Sequence, residues 1–111
     1  MQNLLKKIPE EMEEDNMDYL LKLGFTNEDI DYISKNNTNL ISKLLVEQKK
    51  IIIANINSLI NLGVKNYKEI FNEYADLFLV EHGYFEEMIN KYDEEDLVIK
   101  LEKNINIFPY L

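Results

Sequence analysis

The sequence predicts an all-α protein in which five or six short helices stack as helical hairpins. Only 3 of the 111 residues are glycine and 2 are proline, whereas sandwiches and barrels need turn residues at every strand junction. Two of the glycines stand in the same apolar frame, LLKLGF at 20–25 and LINLGV at 59–64. We therefore expect two to three degenerate repeats within a single domain, residues 1–111.

The helix bounds follow from caps and from apolar residues at helical spacing. A glycine after the last apolar position is expected to end a helix in the left-handed conformation, as at Gly24 and Gly63. Thr26 or Asn27 can cap the second helix, and Asp93 the sixth. The first predicted helix covers about 9–23, and the second runs from the cap at 26 or 27 to the polar run at 36–39. The next three cover about 44–62, 66–75 and 83–91, and the sixth follows Asp93.

The third of these segments is open to a second interpretation. The β-branched run at 51–53 is also typical of a strand. The apolar periodicity continues well past eight residues, however, so its length favours a helix.

Apolar pairs mark the repeat along the chain. They begin at residues 4, 40, 79 and 107, and the pairs at 40 and 79 each lie 16 and 17 residues after a glycine. Periods of about 30 to 40 residues are typical of stacked helical units. The segments LGFTNEDIDYISKNNTNLI at 23–41 and LGVKNYKEIFNEYADLFLV at 62–80 resemble the mitochondrial transcription termination factor-like (mTERF) repeat. Thr38 and Leu77 stand where that repeat has a proline.

The resemblance implies two antiparallel helices and a short 3₁₀ helix in each unit. It also implies nucleic-acid binding through basic residues along the superhelix. The positions that could serve here are all lysines, namely Lys43, Lys49, Lys50, Lys65 and Lys68.

The charge distribution favours a different kind of partner. The net charge is −9, and there is no arginine, whereas domains that bind nucleic acid are normally basic. Residues 36–68 carry a net charge of +4, between flanks of −5 (1–35) and −8 (69–111). The chain is therefore acidic, with a basic middle segment.

The composition also indicates where in the cell the protein is expected. The absence of cysteine excludes disulfides and thiol chemistry. No apolar run approaches the roughly 20 residues of a membrane span, and the first residues lack the pattern of a secretory signal. We expect an intracellular, cytoplasmic protein that does not enter a membrane.

No constellation of residues points to catalysis, a metal or a cofactor. His82 is the only histidine, and its position near a helix start is typical of a surface or capping residue. The acidic runs at 10–15 and 93–96 lie at predicted helix N-termini, where they stabilise the helix dipole. We therefore expect no catalytic residue, no metal site and no cofactor, and we expect that the protein is not an enzyme.

The tyrosines nearest the predicted helix ends give the binding prediction. Tyr84, Tyr92 and Tyr110 are expected to be exposed, and exposed aromatic residues among acids suit a protein interface. The sequence thus predicts an acidic interaction module that binds a protein, in one version as an inhibitor or regulator of a basic nucleic-acid-binding protein. The alternative is a nucleic-acid-binding repeat protein that uses the basic middle segment.

Overall fold

The computed structural model describes residues 16–111, and every regular element in this range is helical, which confirms the all-α prediction. The 3₁₀ helices are η1 (Met17–Leu23), η2 (Ala75–Phe78) and η3 (Ile105–Tyr110). The α-helices are α1 (Asn27–Asn36), α2 (Asn39–Glu47), α3 (Lys49–Leu62), α4 (Tyr67–Tyr74), α5 (His82–Asn90) and α6 (Glu94–Lys103).

The two glycines of the repeated frame end their helices in the same way. Gly24 and Gly63 have φ angles of 96° and 99°, a backbone conformation that residues with a side chain rarely adopt. In the first turn, the amide of Phe25 donates to the carbonyl of Leu20 over 3.2 Å. In the second turn, Val64 donates to Leu59 over 3.1 Å. Both turns are therefore Schellman motifs, and the predicted equivalence of the two helix ends is confirmed.

The first predicted helix differs from expectation. Residues 9–15 of the predicted span lie outside the described residues, and 17–23 form a 3₁₀ helix rather than an α-helix. Asn16 is extended, and its side chain accepts a hydrogen bond from the amide of Asp18 over 2.8 Å. This Asn16 cap fixes the start of η1 at Met17.

The predicted helix over 44–62 is two helices. Thr38 caps α2 by accepting a hydrogen bond from the amide of Ile41 over 3.1 Å, so helix begins at Asn39. Gln48, with φ −101° and ψ 31°, separates α2 from α3. The pair Leu40–Ile41 therefore lies in the first turn of α2 and not in a connection, whereas the isoleucines 51–53 are helical as predicted.

The core is continuous and contains all five phenylalanines. Their rings contact one another in a series that begins at Phe25, in the turn before α1, and continues through α4, η2, α5 and η3. Phe78 is its centre, with ring centroids 4.9 Å from Phe71, 5.2 Å from Phe85 and 5.3 Å from Phe108. Aliphatic side chains of every α-helix complete this core, so the short helices share one apolar interior.

Polar contacts connect neighbouring units of the stack. The hydroxyl of Tyr67, the first residue of α4, donates to the carbonyl of Leu23 over 2.6 Å. Asn66 donates from Nδ2 to the carbonyl of Leu101 in α6 over 3.1 Å. The residues that follow Gly63 therefore contact both the Gly24 turn and helix α6.

Candidate protein-binding surface

The three tyrosines singled out in the sequence are all exposed. Tyr84 is 66% exposed, Tyr92 36% and Tyr110 86%. Phenol rings at such exposure remain in contact with water unless another molecule covers them. The expectation that these are surface tyrosines is confirmed, and their role in binding a partner stays a prediction.

Helix α5 buries Phe85 and Ile89 in the core and leaves Tyr84 exposed. Phe85 and Ile89 are buried, and the neighbouring side of the helix carries the exposed Tyr84, the half-buried Met88, which packs against the core, and Lys91, which directly follows the helix. These three residues follow the i, i+4, i+7 spacing of one helical face. The outer face of α5 therefore presents the Tyr84 ring, with the half-buried Met88 thioether and the Lys91 amine beside it.

Contacts at the end of α5 connect this face with the residues after η3. Lys91 donates from Nζ to the main-chain oxygen of Leu111 over 3.0 Å, and the Tyr92 hydroxyl donates to the same oxygen over 3.1 Å. The Lys91 amine also lies 5.8 Å from the centre of the Tyr92 ring, within cation–π range. Tyr92 is thereby held next to the residue that follows Tyr110.

Two shallow grooves flank Tyr84. The larger, about 550 Å³, is lined by Tyr84, Glu87, Met88, Asn90 and Lys91, all on α5 or directly after it. The smaller, about 290 Å³, is lined by Glu81, Gly83, Tyr84 and Glu87. Across residues 16–111, neither Glu81 nor Glu87 has a lysine nitrogen within 4.0 Å. Tyr84 therefore stands between two carboxylates whose charge is not neutralised locally.

A third groove, between α1 and α4, is strongly acidic. It measures about 440 Å³ and is lined by Glu28, Asp29, Tyr32, Glu69, Asn72, Glu73 and Ile105. Partial burial of Asp29 opposes ionisation. Hydrogen bonds from the backbone amide of Thr26, from Asn72 and from the Thr26 hydroxyl, together with the charge of Lys68, outweigh it and lower the pKa of Asp29. The Tyr32 hydroxyl donates to Glu73 over 2.6 Å, and this bond raises the pKa of Tyr32.

The five lysines of the alternative prediction lie at two places. Lys43, Lys49 and Lys50 are in α2 and the start of α3, whereas Lys65 and Lys68 follow the end of α3. The 14 residues of α3 span about 20 Å, with Lys49 and Lys50 at its start and Lys65 after its end. Lys43 is 3.9 Å from Glu47, and Lys68 donates to the carbonyl of Gly24. The fold therefore places Lys49 and Lys50 at the opposite end of α3 from Lys65 and Lys68.

A polar cluster at the α3–α5 contact, buried at Asn55 and Ser58 and exposed at His82, was not predicted from the sequence. Asn55, which is 0% exposed, donates from Nδ2 to the carbonyls of Phe78 and Val80 over 2.9 and 3.0 Å. Its Oδ1 lies 2.9 Å from Nδ1 of His82. The Ser58 hydroxyl donates to Glu86, which is 3.9 Å from Nε2 of His82.

This cluster has the residue types of a hydrolytic triad but not its geometry. Ser58 is bonded to the carboxylate and not to the histidine, so His82 cannot take its proton directly. The only signal in the sequence was Asn55 within an apolar helical stripe, because a buried amide needs partners. The cluster connects α3 to η2, to Val80 after it and to α5.

The part of the chain that the structure describes also bears on the predictions about metal sites, acidic helix caps and membrane spans. Within residues 16–111, no group of three or more histidine or carboxylate side chains is placed to hold a metal ion. Asp93 caps α6 by accepting from the amide of Asp96 over 3.1 Å, which confirms the predicted cap. The acidic run at 10–15 lies outside the described residues. No described helix has the length and apolar character needed to cross a membrane.

No protein-family model, curated protein or solved structure matches the chain. The likeness to the mTERF repeat therefore stays a prediction.

Proposed function

We propose that this chain is a non-enzymatic, acidic α-helical interaction module that binds a protein partner through the outer face of α5. The observation that carries the proposal is Tyr84, which is 66% exposed and shares one groove with Glu81 and Glu87. Tyrosine is enriched among the residues that dominate interface energies. The flanking carboxylates favour a partner that presents lysine or arginine to the same groove.

Electrostatics supports a basic partner. The chain carries a net charge of −9, which accelerates association with a positively charged surface and suppresses other partners. A nucleic-acid-binding protein is one such partner, and its nucleic-acid surface would be covered in the complex. In that version the module is an inhibitor or regulator, and nucleic acid competes with it.

The nucleic-acid alternative rests on the net charge of +4 over residues 36–68. It requires salt-dependent binding of DNA or RNA at about 0.1 M salt, and the variant Lys49→Glu with Lys50→Glu should abolish that binding. The absence of binding by the wild-type chain under these conditions contradicts it.

The experiment that tests the proposal is affinity capture with matched baits. The whole chain, its Tyr84→Ala variant and its Leu40→Ala variant are used on an extract of the source cell, and each captured complex is purified and titrated. Leu40 is the control because it is equally exposed, at 66%, but lies on α2.

A stoichiometric basic protein should be captured by the wild type and by Leu40→Ala. Its affinity for Tyr84→Ala should be lower by a factor of about 10 to 30, because a central interface tyrosine contributes ~2 kcal/mol. If the wild type captures no stoichiometric partner, or Tyr84→Ala binds it equally well, the proposal is wrong.

A further inference from the structure

Helix α6 forms one side of an open groove of about 350 Å³ that is separate from the α5 face. Val98 and Ile99 line it together with Leu62, the last residue of α3, and Glu94 and Glu95 complete its lining. Leu62 and Val98 are half-buried and pack against the core. The apolar part of this groove is therefore fixed by the interior of the fold.

Ile99 leaves this groove incompletely covered. It is 51% exposed, although Leu97 and Leu101 of the same helix are fully buried. About half of a large apolar side chain thus remains in water beside two other apolar residues. Covering such a surface is favourable in proportion to the apolar area removed from water.

The charge beside this groove is negative and not locally compensated. Asp93 is engaged as the cap of α6, and Asp96 forms an ion pair with Lys100 over 3.1 Å. Among residues 16–111, Glu94 and Glu95 have no lysine nitrogen within 4.0 Å. Two exposed carboxylates therefore lie at the edge of an apolar groove.

We propose that the α6 groove docks a segment of the basic partner in which an apolar side chain is flanked by lysine or arginine. The inference rests on the proposed function and adds a second contact to it. The apolar side chain covers Ile99 and Val98, and the cations meet Glu94 and Glu95. A second copy of this chain is a poor occupant, because its own net charge of −9 repels the same carboxylates.

The test uses a defined probe, a short helical peptide of leucine and lysine, and the whole ¹⁵N-labelled chain. The control probe has the same leucine positions with glutamate in place of lysine. Amide shifts on titration with the lysine peptide should concentrate at 62 and at 94–99. The glutamate peptide should bind at least tenfold more weakly.

Matched variants separate a specific groove from general attraction to an acidic protein. Ile99→Ser should weaken the lysine peptide about tenfold, whereas Leu40→Ser, at another exposed apolar position, should leave its affinity unchanged. Glu94→Gln with Glu95→Gln should weaken it about three- to tenfold. The equal charge change Glu28→Gln with Glu69→Gln, at the α1–α4 groove, should have less effect.

The inference is overturned if the lysine peptide binds the Ile99→Ser variant as tightly as it binds the wild type, or if the amide shifts are spread evenly over the acidic surface. The unfolding midpoint of each variant shows that its fold is intact. Peptide affinity for Tyr84→Ala should equal that of the wild type, since Tyr84 is on α5. If the peptide results hold while Tyr84→Ala still captures the partner fully, the α5 proposal fails and the α6 groove stands.

Discussion

The two glycine turns provide a test of how the stack is held together, because they are equivalent in backbone but not in surroundings. Gly24 and Gly63 both have φ near 100°, so alanine is strained at either position by about 1–2 kcal/mol. A Cβ at Gly63 would meet no atom within 4 Å, whereas at Gly24 it would lie 2.7 Å from the hydroxyl of Tyr67. Gly24→Ala should therefore destabilise the protein more.

The difference follows from the hydrogen bond that Tyr67 makes. Its hydroxyl donates to Leu23 over 2.6 Å and must move away from a new Cβ, which costs about 0.5–1.5 kcal/mol for the lost bond. Alanine also restricts the unfolded chain, which offsets about 0.4–1 kcal/mol at both positions. We expect destabilisation by ~1 kcal/mol for Gly63→Ala and ~2 kcal/mol for Gly24→Ala.

The assay is urea unfolding of both variants in the wild-type and Tyr67→Phe backgrounds. Phenylalanine removes the clashing oxygen, so the two glycine substitutions should then cost the same within about 0.5 kcal/mol. Equal costs in the wild-type background would refute the reasoning. So would a difference between the two substitutions that persists without the hydroxyl.

Three further predictions concern polar contacts. The pKa of Asp29 is lower in the folded protein than in the unfolded chain. Ionised Asp29 therefore stabilises the fold fully above the unfolded pKa of about 3.9, and this contribution is lost as pH falls through the lower folded value. The destabilisation caused by Asp29→Asn should therefore shrink between about pH 5 and pH 3 in denaturant titrations, and a pH-independent difference would contradict this account. Asn55→Ala should destabilise the protein by about 2–4 kcal/mol, because two backbone carbonyls lose their donor, and a loss below ~1 kcal/mol would contradict this account. Neutral His82 should be the Nδ1–H tautomer, since Asn55 presents Oδ1 to that nitrogen; long-range ¹H–¹⁵N spectra would disprove this by showing the proton on Nε2.

Local signals in the sequence predicted the helix ends well. Gly24, Gly63 and Asp93 act within a few residues of themselves, so their roles as caps follow from residue type and position. The choice between Thr26 and Asn27 needed the structure. Thr26 is the cap because its hydroxyl and the Asp29 carboxylate form a reciprocal capping box.

Two helix boundaries and the contacts between distant residues were not predicted. The break at Gln48 has no glycine or proline to announce it, and Thr38 was assigned to the end of one helix instead of the start of the next. Asn55 gives no local sign of its three partners, which are 23 to 27 residues away. Exposure of Tyr84 was predictable, but the carboxylates beside it depend on how α5 begins.

Helices α5 and α6 each divide their surface between the core and solvent, which explains why the two proposed contacts are independent. Phe85 and Leu97 hold the inner faces in the common interior, while Tyr84 and Ile99 stand on the outer faces. A substitution at either outer position leaves Phe85 and Leu97 in the core, so it is expected to change recognition more than it changes stability. Because both helices are fixed to one core, a partner that contacts α5 and α6 meets a preorganised surface and does not have to order it.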